Sequence, residues 1–394
     1  MTGPTALAPP SGADERTYWA DRVWRPWLER VRPLRDSTVL EYGCGPGSVS
    51  RALAPHAKRY IGLDIDQKAI EVANGANQLA HATFHAHPPD EIIDALLDYA
   101  GSIDIMLLYA VVEHLTIAER IAVLSAARKV ARPHGVVVVV ELPNRLSPLD
   151  HHSSFEPFVS QLPDELALDY LANAQRPEFR EQVLGARDPS LPAGEDVDAL
   201  LALRRFGRGG SFHEFELAWG GPINNHVVAT NWEPEVIPHR EIHPGEVALA
   251  RTFARLRPDL DPCWSREWID LILTPDPSPR RGPFHRPWVG FPGPASNSAI
   301  VNAAEAIHMS SDAALHVLLA EPTQQLAVRV VDESRQTTVR AMTRSDDRVE
   351  STAPGGPGHG RTIVLDLPNR SDDLLLELAA DGWVIGVTYL GYGA

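Results

Sequence analysis

Between Thr38 and Leu142 two hydrophobic patterns alternate along the chain. Short continuous runs of apolar and β-branched residues (STVLEY, RYIGLDI, ATFHA, IDIMLLYA, GVVVVVEL) are separated by stretches where apolar positions recur every three or four residues (SVSRALAPHA, QKAIEVANGANQLA, DEIIDALLDYA, TIAERIAVLSAARKVA). Runs that are apolar on both faces and joined by helices indicate a parallel sheet covered on each side. The pattern predicts five strands of a doubly wound, Rossmann-like α/β sheet. Upstream, Tyr18, Trp19, Val23, Trp24, Trp27, Leu28 and Val31 fall at roughly helical spacing and predict a helix docked by its aromatic face, within a cap over residues 1–36. Downstream, residues 162–174 predict one more helix, followed by a polar insertion around 175–210. SFHEFELAW (211–219) and NHVVATNW (225–232), joined by a Gly-Gly-Pro turn, read as two antiparallel strands that would bring the sheet to seven. Residues 37–272 are thus expected to form one domain and the proline-rich stretch 273–298 a linker. Over 299–394 the texture changes to alternating runs such as QLAVRVVD, TTVRAMT and TIVLDLP, the pattern of a small antiparallel, sandwich-like β domain.

A chain of 394 residues fits this division into more than one domain. The formal net charge of −16 argues against duplex nucleic acid, which is bound through concentrated basic surface. The two cysteines, and an N-terminal stretch without the basic start and apolar core of a signal peptide, lead us to expect a reducing cytoplasmic setting. No apolar run approaches the roughly 20 residues that cross a bilayer.

Chemistry enters at VLEYGCGPGSVSRALA, Val39 to Ala54. A phosphate-cradling loop carries Gly-Lys-Ser/Thr, but Gly47 is followed by Ser48 and Val49. The spacing Gly43-Cys44-Gly45-Pro46-Gly47 also departs from the GxGxxG dinucleotide fingerprint. Glu41 would repel a pyrophosphate and suits a ligand presenting an ammonium group.

With Asp64 closing the next apolar run, this ExGCGxG stretch resembles the class I S-adenosylmethionine-dependent methyltransferases, and YAVVEHLT followed by VARPHGVVVVVELPN is similar to their fourth-strand loop and fifth strand. The resemblance covers residues 38–144 and extends toward 232. It implies a seven-stranded methyltransferase sheet with S-adenosyl-L-methionine as cofactor. Glu41 would bind the methionine ammonium, Gly43, Gly45 and Gly47 would admit the ligand closely, and Asp64 would hold the ribose hydroxyls. Ile65 would pack on adenine, Tyr109 would line the methionine arm, and Tyr18 from the cap would complete the pocket. Where many members carry an aspartate for the adenine amino group, this chain has Ala86 and His87, leaving His87, Asp90 or a backbone carbonyl for that contact.

For the acceptor, His114 is the expected general base, with Glu113 beside it. Glu113 and His114, with His152 from DHH (150–152), would alternatively hold a divalent metal ion. This grouping resembles metal-dependent methyltransferases of small-RNA 2′-hydroxyls and the ubiquinone-pathway O-methyltransferases, whose motif reads ExxEH, although Ala110 stands at the first glutamate. His151, His152 and His213 are expected to contact the substrate, while His226 and the His239/His243 pair are more simply structural. The expected activity is O-methylation of a small-molecule or glycosidic hydroxyl. The alternatives are N- or C-methylation and a catalytically silent cofactor-binding scaffold. The C-terminal domain would bind substrate, mediate homo-oligomerisation or cover the sheet.

Overall fold

The computed structural model describes residues 14–231, single positions between 246 and 257, 260–276, and the strands and short turns within 288–292, 307–309, 314–332, 336–343, 347–354, 361–379 and 382–389. These fall into two compact units, one comprising residues 14–231 and 266–276, the other residues 260–265 and the strands beyond 288. His239 and His243 lie outside the described residues.

In the first unit the chain enters through α1 (Glu15–Trp19), a π-helical turn (Ala20–Trp24) and α2 (Arg25–Val31), with Val23, Trp24, Trp27 and Leu28 buried as the spacing predicts. The five expected strands are β1 (Thr38–Tyr42), β2 (Arg59–Asp64), β3 (Ala82–Ala86), β4 (Ile103–Tyr109) and β5 (Ala131–Pro143). They pair in parallel, and β4 is buried at every position, which is why its sequence shows no alternation. The crossovers are α3 (Ser48–Leu53), α4 (Gln67–Ala76), α5 (Ile92–Leu97) and α6 (Ile117–Val130), the last opened by a Thr116/Glu119 capping box.

The insertion after β5 forms α7 (Asp164–Tyr170), α8 (Pro177–Gly185) and α9 (Val197–Gly207), closed on its own core of Leu168, Phe179, Val183, Ala199 and Leu203. Residues 211–219 depart from expectation. They form a helix, α10 (Phe212–Trp219), because Ser211 and Glu214 make a capping box and Gly220 ends the helix in the left-handed region. The seventh strand comes from further along. β6 (Val227–Thr230) pairs antiparallel with β7 (Trp268–Leu273), which pairs antiparallel with β5, giving the order β3-β2-β1-β4-β5-β7-β6. The strand order reverses beside β1, so the C-terminal edges of β1 and β4 open the crevice where such sheets bind ligands.

The second unit is antiparallel, as expected. Its strands are β8 (Trp288–Pro292), β9 (Ile307–Met309), β10 (Ala314–Asp332), β11 (Gln336–Thr343), β12 (Arg348–Pro354), β13 (Arg361–Leu378) and β14 (Gly382–Tyr389). β8 lies inside the stretch expected as a linker and pairs with β10, since the run WVGFP supplies donors that its proline-rich flanks lack. Long strands β10 and β13 shift register between Leu318 and Gln325, and the residues on either side of that break in β13, Ile363 to Leu367 and Leu374 to Leu378, share one buried core with Leu326, Val328, Val330 and Val339.

Candidate functional site

β1 ends where the chain turns through Gly43, Gly45 and Gly47, all with positive φ. A Cβ on Gly43 would lie 2.3 Å from Val111 Cγ2, so the loop packs directly against the segment that follows β4. Gly45 differs. With φ +50° and nothing within 4 Å of its hypothetical Cβ, it presents bare backbone to open space. Its N–H donates to Asp64 Oδ2 (2.7 Å), and Asp64 Oδ1 accepts from the Asp66 N–H (2.9 Å), so the carboxylate is aimed by two backbone donors and keeps lone pairs for a ligand. Ile65, next in the chain, is 52% exposed, an apolar side chain without cover. These features fit the nucleoside end of S-adenosylmethionine: close approach at Gly45, paired acceptors at Asp64 and an apolar platform at Ile65. His87 is half-buried after β3, its N–H donating to the Asp64 carbonyl (2.9 Å). α1 is pinned to α3 by the Thr17 hydroxyl donating to the Ser48 carbonyl (2.7 Å) and by Asp14 pairing with Arg51, and Tyr18, next in the chain, is half-buried and edge-on to Trp19.

Glu41 is 2% exposed and accepts the Tyr60 hydroxyl (2.7 Å). Burial pushes its carboxyl up to about 8, with the Asp64 charge adding to the rise, while the Tyr60 bond and the Arg16 charge work the other way. A carboxylate in that state is completed by a cation, and the methionine ammonium is the one its place beside the glycine loop suits. Tyr109, buried at the end of β4, donates its hydroxyl to Glu141 Oε1 (2.9 Å).

A 3-10 turn, Val112–His114, follows β4. There Glu113, His114 and His152 offer ligand atoms that all lie within 4.8 Å of one another. The three residues singled out from the sequence therefore meet in space, although 38 positions separate His114 from His152. Glu113 is 2% exposed and its Oε2 is buried without a hydrogen-bond partner. Burial raises its carboxyl to about 8, reinforced by the charge of Glu141 and opposed by Arg120 and Arg16. His114 Nδ1 donates to the Arg205 carbonyl (2.9 Å) at the end of α9, an assignment made from that partner, which leaves the Nε2 lone pair 3.7 Å from Glu113 Oε1. Burial holds His114 below the ordinary histidine value and lowers His152 to about 4, so both rings are neutral at pH 7. His152 Nδ1 is buried without a hydrogen-bond partner, and its ring stands edge-on to Trp268. Two neutral imidazoles and one buried carboxylate suit a first-row divalent ion better than magnesium or calcium, which seek oxygen.

Residues that sequence reasoning passed over hold this group in place. Arg120, 1% exposed, donates to the carbonyls of Glu113 (3.0 Å), Leu115 (2.9 Å) and Gly209 and pairs with Glu214. Asp150 accepts the N–H groups of His152, Ser153 and Ser154 and both serine hydroxyls, fixing the turn that presents His152, and Arg176 donates to the His152 carbonyl. His151 points elsewhere, pairing with Glu267 in a small cavity lined by Asn144 and Trp268. His213 is exposed on the first turn of α10, stacked on Phe212, and is not part of the Glu113 group. His226 is buried and bonded to the Thr274 carbonyl, a structural histidine as expected.

Residues 40–137 match the profile of a family described as "Methyltransferase domain". Among curated proteins, the chain is 29% identical over 140 residues to a probable S-adenosylmethionine-dependent methyltransferase of Mycolicibacterium smegmatis, covering 34% of this chain and 49% of that protein. It is 27% identical over 119 residues to a ubiquinone biosynthesis O-methyltransferase of Thiobacillus denitrificans, covering 28% and 47%. A 69-residue stretch is 35% identical to tRNA (uracil-5-)-methyltransferase homolog A of Mus musculus, covering 17% of this chain and 11% of that protein. The chain thus spans about half or less of the length of these relatives. Among solved structures it is similar to magnesium protoporphyrin IX methyltransferase from Synechocystis PCC 6803 with bound S-adenosylmethionine, with 24% identity, TM-score 0.27, and coverage of 33% of this chain and 60% of that one.

Proposed function

We propose that the class I S-adenosylmethionine-dependent methyltransferase domain carried by this chain methylates a hydroxyl of a small-molecule or glycosidic acceptor, beside a divalent ion held by Glu113, His114 and His152. The observation that carries the proposal is the convergence of the buried Glu113 carboxyl, whose Oε2 has no hydrogen-bond partner, with the imidazoles of His114 and His152, their ligand atoms within 4.8 Å of one another. Burial keeps that carboxyl protonated up to about pH 8, and a cation bound in the proton's place would complete it. The naming of several matching relatives as ubiquinone biosynthesis O-methyltransferases points to the same acceptor atom.

When bound, the cofactor supplies an electrophilic methyl group and the ion acidifies a coordinated hydroxyl. The chain's own residues do the rest. Glu41 neutralises the ammonium, Asp64 and the bare Gly45 backbone fix the nucleoside, and Tyr109 lines the methionine arm. These contacts hold the sulfonium so that an acceptor oxygen can approach the methyl carbon opposite sulfur. With the cofactor so held, the C–O bond would form as the C–S bond breaks, and alignment by these residues would be the main contribution. The hydroxyl proton must leave, and His114 Nε2, the ring nitrogen left with its lone pair when Nδ1–H donates to the Arg205 carbonyl, is the group that takes it if no ion is engaged. In this scheme residues 37–272 are the catalytic domain, 1–36 its cap, and 299–394 an accessory domain.

Incubation with radiolabelled cofactor and a panel of phenolic, sugar, polyketide and amine acceptors, with and without chelator, tests the proposal. Transfer to hydroxyls that is lost in chelator and restored by manganese or zinc is expected. Full transfer in chelator would leave His114 as sole base, transfer confined to amines would refute the oxygen acceptor, and cofactor binding without transfer to any acceptor would support a silent scaffold.

A further inference from the structure

Glu141 occupies the end of β5 in the left-handed region, φ +61°, a conformation strained for any side chain. It lies at a break in the β5–β7 register, where Val139 faces Leu271 but Leu142 faces Ile269. Three steps along β5 match two along β7, so the extra residue makes a bulge, and bulges beside functional sites re-aim side chains. Two contacts hold it. The Glu141 N–H donates to Oδ1 of Asp270 (2.7 Å), which is fully buried, and Glu141 Oε1 accepts the Tyr109 hydroxyl (2.9 Å). On the neighbouring strand the Ala110 N–H donates to the Val140 carbonyl (2.9 Å), so positions 110 and 141 lie side by side at the sheet edge, and Ala110 is also left-handed, φ +46°. Ala110 has no ligand to offer. Glu141 is the carboxylate that β5 places beside it at this edge.

We propose that Glu141 supplies the second negative charge of the cation site formed by Glu113, His114 and His152, accepting hydrogen bonds from water on the ion. This rests on the metal reading above. One carboxylate and two neutral imidazoles would leave a divalent ion with a net positive charge beside the buried Glu113, and a second carboxylate in the outer shell balances it. Because Glu141 is not one of the three residues whose ligand atoms converge, its role is through water rather than by direct coordination.

Calorimetric titration of manganese into the full chain with S-adenosylhomocysteine present tests this, using Glu141→Gln, Glu141→Gly and Glu113→Gln. Glycine adopts positive φ freely, so Glu141→Gly removes the carboxylate while keeping the bulge, and retained melting temperature in that variant excludes misfolding as the cause of any loss. Both Glu141 variants are expected to bind manganese about 10- to 100-fold more weakly, the usual effect of losing an outer-shell partner, and Glu141→Gln, whose amide oxygen can still accept the Tyr109 hydroxyl, to bind S-adenosylhomocysteine as the parent does. If Glu113→Gln abolishes binding while both Glu141 variants bind as the parent does, the role of Glu141 is overturned and the metal site stands. If the parent binds no manganese at millimolar concentration, both fall.

Discussion

Replacing Gly45 by alanine separates a cofactor cradle from a simple tight turn. The residue has φ +50° and its hypothetical Cβ meets nothing within 4 Å, so the cost to the unliganded fold is the left-handed conformation alone, about 1–2 kcal/mol. At about 2–4 °C per kcal/mol for a domain of this size, melting should fall by about 2–8 °C. The new methyl group projects into the space assigned to the ligand. Overfilling a packed contact costs about 1–3 kcal/mol. At about 1.4 kcal/mol per factor of ten, S-adenosylhomocysteine should bind about 5- to 150-fold more weakly. Titration calorimetry gives the affinity, and a melting curve without ligand gives the stability. A G45A protein with reduced melting temperature but unchanged affinity would show that the open face of the loop is not where the ligand lies. Gly43→Ala provides the contrast, since its Cβ would meet Val111 at 2.3 Å and should damage the unliganded fold more severely.

Asp64→Asn should weaken S-adenosylhomocysteine at least about tenfold, because an amide cannot accept from both the Gly45 and Asp66 N–H groups and also from the ribose; equal affinity in calorimetry would remove Asp64 from the ribose. Manganese affinity should rise about tenfold per pH unit from pH 6 to pH 8 and then level, since Glu113, raised to about 8 by burial, must lose its proton to hold an ion whereas His152, near 4, already has. A flat profile over that range would rule out Glu113 as a ligand. The folded-state value of Glu113 lies above its unfolded value of 4.5, so its contribution to unliganded stability is full below about pH 4.5 and is lost as pH rises through about 8. Melting followed from pH 5 to pH 8 should therefore decline less in Glu113→Gln than in the parent, and identical slopes would contradict the buried-carboxyl assignment.

The cofactor was legible because its motif is local: Glu41, the glycines and Asp64 all lie within a single strand-turn-helix-strand unit, and the expected chemistry follows from residue type and spacing. α10 was also legible and was misread. The S-x-x-E capping box at Ser211 and Glu214 and the terminating Gly220 outweigh the alternation that suggested a strand, because backbone groups at helix ends must find partners. β7 escaped notice because WIDLIL reveals no partner, and its pairing with β5 spans well over a hundred residues of intervening chain.

That pairing governs much of the acceptor half. The β5–β7 bulge turns Glu141, and Trp268 at the start of β7 backs His152. That His152, and not His151, lies beside Glu113 follows from the turn that Asp150 ties with five hydrogen bonds. Likewise the tautomer of His114 depends on a carbonyl of the insertion, Arg205, 91 positions away. The cofactor motif is therefore written in adjacent residues, whereas the proposed acceptor group is assembled from segments that only the folded sheet brings together. Substitutions in the insertion that displace the end of α9 should thus alter the protonation of His114 without touching the cofactor pocket.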